Sequence, residues 1–349
     1  MTIVTDVLVI GGGQAGLATG YYLAQAGIDF IILDSGSRIG DSWRNRYDSL
    51  VLFTPKGYSE LPGMSFPGDP EQFPNKNETA NYLESYASIF QFPIHLLTRV
   101  KDVRKSNEEF QITTNKESYT ARRVVIASGP FQKEWIPDFA NDLPSQINQL
   151  HSSKYHNPEQ LLSGDTLVVG AGNSGAQIAV ELSKSRPVYL STGHKPISLP
   201  LKIGGKSIFY WFDKLGILHA TKNSFIGRKI QKRPDPIFGL ELKEQINYSA
   251  VLLYPKVTGT DRNSVIFADG SHREFMNIIW GTGFRFDYNW LKIPHIFDLK
   301  GGIIHDRGIT PEYGLYIVGM PWQYRRTSAL LGGVGEDSRY IVESIINNV

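Results

Sequence analysis

The chain has 349 residues, of which 36 are Lys or Arg and 34 Asp or Glu, so a formal charge of +2 offers no broad field to nucleic acid or to an anionic membrane. It contains no cysteine, which removes disulfide scaffolds, thiolate metal sites, a Cys nucleophile and a Cys-x-x-Cys redox pair together. The histidines show no metal-type spacing, the nearest pair being His151 and His156, no long apolar run occurs, and the start of the chain has no basic leader. The expectation is therefore a cytoplasmic protein of two or three domains with no metal and a small-molecule ligand.

In chain order, "DVLVIGGGQAGLATGYYL" from Asp6 to Leu23 predicts a strand over Asp6 to Ile10, a glycine-rich turn and a helix over Gln14 to Ala26. After Gly27 a second strand runs from Asp29 to Leu33. This is a βαβ unit with a G-x-G-x-x-G turn: Gly11 allows the tight bend, Gly13 lets the backbone approach a pyrophosphate, and Gly16 lets helix and strand pack closely. Gln14 and Ala15 open the helix whose N-terminus would face the phosphates. Asp34, with Ser35 beside it, stands where such units place an acid against the ribose of an adenine dinucleotide.

"EEFQITTNKESYTARRVVIASG", Glu108 to Gly129, alternates like a β-meander and ends on Ala127, Ser128 and Gly129. The glycine pattern then returns in "DTLVVGAGNSGAQIAVEL", Asp165 to Leu182, with a strand at Thr166 to Val169 and Gly170, Gly172, Asn173, Ser174 and Gly175 at the turn. A helix to about Lys184 and a strand at Pro187 to Leu190 follow. No acid ends that strand; Ser191 and Thr192 stand there, with Lys195 close behind. "MNIIWGTGF", Met276 to Phe284, is another strand that stops on small residues. Two such turns imply two dinucleotides, an economical arrangement when electrons pass from nicotinamide to flavin. The fold expected is α/β with two Rossmann-type domains in three layers (ββα/βαβ). An FAD-binding domain, residues 1–155 and 280–349, is interrupted by an NAD(P)H-binding domain, residues 156–279. "FYWFDKLGI", Phe209 to Ile217, either lines a substrate mouth or packs the insertion after Lys202, and "GRKIQKRP", Gly227 to Pro234, reads as a solvated helix face.

The segment "SRIGDSWRNRYDSLVLFTPKGYSELPGMSFP" from Ser37 resembles the flavin-domain segment of flavin-containing monooxygenases, including the plant YUCCA group and bacterial CzcO-like relatives. "IASGP" at 126–130, "GTGF" at 281–284 and "GLYIVGM" with "SALLGGVGEDSRYI" after Gly314 extend the resemblance over nearly the whole chain. The family signature FxGxxxHxxx(Y/F) is matched at His151 and Tyr155, while Ser145 and Ile147 replace its Phe and Gly. The resemblance implies FAD with NADPH and/or NADH. In that chemistry reduced flavin reacts with dioxygen and a 4a-hydroperoxyflavin oxygenates small sulfides, amines or ketones. It makes His151 and Ser152 part of catalysis and adds Trp43, Arg44, Val100, Gly283 and Leu330 to the cofactor-binding set. Read alone, Trp43 and Arg44 are a core and a surface residue, and His151 an ordinary surface histidine. Phe53 stands where animal and yeast members carry an Asn beside the flavin, so oxygenation is expected to leak hydrogen peroxide. An electron-transfer reductase with a ferredoxin-type acceptor, an NAD(P)H oxidase and a non-catalytic flavoprotein stay open as alternatives. The partners expected are the substrate and dioxygen, without nucleic acid or membrane, and with room for a homodimer.

Overall fold

A computed structural model describes residues 2–347. The strand β1 (Thr2–Ile10) lies inside a seven-stranded sheet. Parallel to it on one side run β2 (Phe30–Leu33) and then β3 (Ile94–His95). On the other, β6 (Ser118–Ile126) runs parallel to β1, and beyond it the sheet continues through the antiparallel strands β5 (Glu109–Thr114) and β4 (Val100–Ser106). The helix α1 (Gln14–Gln25) joins β1 to β2, and α2 (Lys76–Ile89) precedes β3. Side chains alternate across β1: Val7 and Val9 pack on the helical layer with Leu17 and Leu83, while Leu8 and Ile10 pack on the meander side with Val103 and Phe110. Burial on both faces explains the unbroken apolar run of this strand.

The second sheet repeats the plan. Its strands are β7 (Asn148–His151), β8 (Thr166–Val169), β9 (Val188–Ser191), β10 (Val251–Tyr254) and β11 (Asn277–Trp280), in the spatial order β10, β9, β8, β11, β7, all parallel. Val168 faces Ile178 and Ala179 of α3 (Asn173–Ser183), whereas Leu167 and Val169 face the layer holding Val265 and Phe267. The insertion after β9 carries the short helices α4 (Ile208–Lys214) and α5 (Phe225–Gln231). The chain then returns to the first sheet through β12 (Leu315–Ile317), parallel to β6, and closes with α6 (Leu331–Asn347), which packs on α1. The Thr19 hydroxyl of α1 lies 3.3 Å from that of Ser338 in α6.

Strand registers bring the working ends level. Ile10, Leu33, Ile126 and Ile317 are partners across the first sheet, and Val169, Ser191, Tyr254, Trp280 and His151 across the second. Every glycine turn therefore leaves a carboxyl edge of a parallel sheet, the edge where α/β folds take ligands. The second sheet takes β7 from before residue 156, where the domain crossing was expected, because Asn148 to His151 pair with Asn277 to Trp280 at its edge. Across the crossing, the Asp48 amide donates to the His156 carbonyl (2.7 Å) and the Gln177 amide group to the Val51 carbonyl (2.9 Å).

Candidate functional site

The two glycine turns have the same physical design. Gly11 sits at φ +113°, and a Cβ there would come 2.6 Å from the Ala127 carbonyl oxygen; Gly170 sits at φ +102°, and a Cβ there would overlap the Gly281 carbonyl. At Gly16 and Gly175 a Cβ would overlap the carbonyl oxygens of Gly11 and Gly170. Around Gly13 and Gly172, in contrast, nothing stands within 4 Å of a Cβ position. These two glycines cap α1 and α3 in extended conformation with no side-chain cap, so the first-turn N–H groups face open space. Packing thus demands glycine at the first and third positions, while the middle position keeps room beside unsatisfied donors, which fits a pyrophosphate.

Several of the residues expected to bind cofactor lie around the first turn. Asp34 accepts from the Gly12 amide (2.6 Å) and the Gly36 amide (2.7 Å), one on each carboxylate oxygen, leaving further lone pairs of both for a ribose hydroxyl. Its own carbonyl accepts from the Thr98 amide (2.8 Å), which brings the start of β4, and so Val100, to this corner, with Ser35 exposed beside it. Ala127 is buried and donates to the Ile10 carbonyl (2.8 Å); the Gln132 amide holds the Ser128 hydroxyl (3.0 Å) and the Gly129 carbonyl (2.8 Å). The Gln14 side chain donates to the Ala329 carbonyl (3.1 Å), tying the turn to Leu330, and Ala15 is buried behind it. Trp43 packs against the helical-layer core. Arg44 is already committed to the Ile39 carbonyl (2.5 Å) and to Glu84 (2.9 Å). Nothing in the sequence marked Gln132 for its bridging place.

At the second turn, the Asn173 side-chain oxygen accepts from the Phe238 amide (3.0 Å), and Ser174 lies beside the Tyr47 hydroxyl. That hydroxyl donates to Gln177 (2.9 Å), and burial pushes its pKa up to about 12. Ser191 differs from its expected place. Its side chain is buried, donating to the Pro255 carbonyl (2.7 Å) and accepting from the Val257 amide (3.1 Å), so the hydroxyl ties the end of β9 to the chain just after β10 and is spent within the protein instead of facing a ribose. Thr192 is half-buried and Lys195 exposed in the loop beyond.

His151 is 2% exposed, not a surface residue. Its Nε2 lies 2.9 Å from the Gly283 carbonyl, which it serves as donor, and its Nδ1 accepts from the Ser153 amide (3.2 Å). Burial holds its pKa below the ordinary histidine value and keeps the ring neutral. The neighbouring Ser152 amide donates to the Trp280 carbonyl (3.0 Å). Together the two residues lock the domain crossing, with both ring nitrogens of His151 held in hydrogen bonds.

Phe53 stacks on Phe238 (4.7 Å between centroids, 17°) and on Phe209 (6.1 Å, 20°), both supplied by the inserted segment. Beside this stack lies a cavity of about 370 Å³ whose lining includes Thr54, Tyr58, Phe209, Asp213, Arg325 and Leu330. Phe209 and Asp213 belong to the stretch with two readings in sequence: Phe209 packs the insertion and also lines the cavity. One polar chain crosses the wall, from the Tyr58 hydroxyl to Asp213 (3.3 Å), from Asp213 to His219 (2.8 Å), from His219 to Arg325 (3.4 Å) and on to Glu336 (3.1 Å). Burial, reinforced by Asp213, pushes the Tyr58 pKa up to about 12. Arg325 and Glu336 carry no local motif, so sequence gave no signal of their meeting with α4.

Residues 8–199 match the pyridine nucleotide-disulphide oxidoreductase family, more than half of the chain. The chain belongs to that family. Within it, the chain is 54% identical over 348 residues to a CzcO-like oxidoreductase of Geobacillus kaustophilus, covering all of both chains. It is 26% identical to a probable indole-3-pyruvate monooxygenase, YUCCA8 of Arabidopsis thaliana, covering 98% of this chain and 89% of the relative. The solved flavin-containing monooxygenase of Stenotrophomonas maltophilia superposes with a TM-score of 0.84 at 27% identity, covering 99% of each chain. The protein is thus a pyridine nucleotide-disulphide oxidoreductase family enzyme of the flavin monooxygenase type. Having no cysteine, it has no thiol pair for the disulphide chemistry in the family's name. Among the described residues no helix is long and apolar enough to cross a membrane.

Proposed function

We propose that this chain is an NAD(P)H-dependent FAD monooxygenase that oxygenates small sulfides, amines or ketones. The observation that carries the proposal is the paired glycine turns, each reserving the same open space at a helix start, in a chain without a cysteine to receive electrons. FAD, reduced by nicotinamide, supplies the dioxygen-activating chemistry when bound. The Gly11 turn, Asp34, Ala127 and Ser128 would hold it, and the Gly170 turn, with Thr192 and Lys195 beyond β9, would hold the nicotinamide dinucleotide. The chain's own contribution is position and dryness. Gln132 fixes the loop after β6, His151 fixes Gly283 at the crossing, and the Phe53 stack offers an apolar wall next to the cavity through which substrate would enter.

A specific feature favours an NAD(P)H oxidase component. Phe53, stacked on Phe238 and Phe209, carries no hydrogen-bond donor where relatives have an amide, so loss of hydrogen peroxide would compete with oxygen transfer. The test follows NAD(P)H oxidation by the FAD-loaded protein with and without a thioether, measuring sulfoxide and peroxide. Sulfoxide formation that depends on both NAD(P)H and dioxygen supports the proposal; turnover that requires an added electron-acceptor protein and gives neither product contradicts it.

A further inference from the structure

The balanced total charge conceals a segregation. Residues 195–233 hold nine Lys or Arg and a single acid, Asp213, a net of +8, whereas the other 310 residues hold 27 against 33, a net of −6. The structure gives this segment two faces. Ile208, Phe209 and Phe212 of α4 turn inward to Phe53 and Tyr58. Trp211, Lys214 and Leu215, spaced as one helical face, are exposed, Leu215 at 68%. The hairpin Lys202 to Ser207 brings Ile203, 47% exposed, against them, with the Trp211 indole N–H donating to the Ile203 carbonyl (3.0 Å). Lys206 and Lys214 stand on the Tyr210 ring at 5.8 Å each.

Two acids near this face are already engaged. Asp213 turns to His219 and Tyr58 in the cavity wall, and Glu71 pairs with Lys206 (3.3 Å). Lys202 and Lys214 enter no ion pair among the described residues. The combination recurs on α5, where Phe225 is 82% and Ile226 45% exposed beside Arg228 and Lys229.

We propose that this face of the insertion seats on an anionic phospholipid bilayer, with Ile203, Trp211 and Leu215 entering the headgroup region and Lys202 and Lys214 meeting lipid phosphates. Isolated exposed aliphatic side chains interleaved with lysines suit a surface that is apolar just below a layer of negative charge. A duplex nucleic acid would use the lysines and leave the aliphatic groups in water. At seven residues α4 is far too short to span, so the chain lies on the bilayer. This departs from the expectation of no membrane partner, which rested on total charge. Because the inner face of α4 walls the cavity, the seat also brings the cavity next to the lipid.

The test is cosedimentation of the full, FAD-loaded chain with vesicles of phosphatidylcholine, alone or with about one third phosphatidylglycerol. The expected result is binding to the mixed vesicles only, released by about 0.5 M salt. Lys202→Glu with Lys214→Glu should weaken it about tenfold or more, and Ile203→Ser with Leu215→Ser by a similar factor, while FAD content and NAD(P)H oxidation in solution stay unchanged. Three results would overturn the proposal: no sedimentation with the mixed vesicles, binding indifferent to the aliphatic pair, or equally tight retention on duplex DNA.

Discussion

The middle glycine of the first turn separates fold from ligand. Because a Cβ at Gly13 meets no protein atom within 4 Å, Gly13→Val should fold with a thermal midpoint close to that of the FAD-free parent and yet take up no FAD, the side chain occupying the space kept for phosphate. Gly16→Val should fail differently, since its Cβ would overlap the Gly11 carbonyl, and the protein should not accumulate folded. Absorbance of bound flavin together with a melting curve distinguishes the two. At His151 the folded-state pKa lies below the ordinary value of 6.5 because the ring is buried. The unfolded chain therefore binds more protons in this window, so the stability from the neutral, hydrogen-bonded ring is complete above about pH 6.5 and is lost progressively as pH falls below it. His305, also lowered by burial, has the same sign. A melting series from about pH 8 to pH 5.5 should fall toward acid, and His151→Gln should flatten part of that fall and leave the share due to His305.

At the scale of elements, the end of β9 divides into a brace and a reader. Ser191→Ala strands the Pro255 carbonyl and the Val257 amide, so it should cost about 1–3 kcal/mol of stability and leave the ratio of NADPH to NADH use unchanged. Neither Ser191 nor Thr192 offers a guanidinium or a repelling acid, so both cofactors should reduce the flavin within about tenfold of each other. Thr192→Arg, at the half-buried position outside the brace, should shift preference toward NADPH by about tenfold, read from stopped-flow reduction with each cofactor. The Phe53 stack joins the flavin-domain segment to α4 and to Phe238. Phe53→Asn removes that stack and places an amide by the cavity. It should destabilise the protein by about 1–3 kcal/mol and change the ratio of sulfoxide to peroxide, whereas the parent should release peroxide as the larger product. Nearly quantitative sulfoxide from the parent would contradict the role given to Phe53.

Across the whole molecule, what sequence made legible is what local rules dictate. Glycine spacing, apolar runs and the acid at Asp34 located both βαβ units to within a residue or so at their inner ends, because each strand, turn and helix there is built from contiguous residues. What sequence hid depends on distant partners. The pairing of β7 with β11 joins residues some 129 positions apart, and it moves the edge of the second sheet upstream of the expected boundary. Ser191 looked like a ribose contact because its position was right and its partners, Pro255 and Val257, lie far along the chain. The cavity wall has the same origin, with Asp213, His219 and Arg325 meeting only after the insertion folds back on the flavin domain. Total charge likewise averaged away the basic face of residues 195–233.

The central claim is that one chain passes a hydride from nicotinamide to flavin and then hands the electrons to dioxygen. The most direct measurement reduces the FAD-loaded protein anaerobically with one equivalent of NADPH, then admits oxygen in the presence of a thioether and counts sulfoxide and hydrogen peroxide. The account predicts prompt reoxidation, with the two products summing to the NADPH consumed and sulfoxide present among them. Reduced flavin that persists in air, or reoxidises without forming sulfoxide at any thioether concentration, would contradict it.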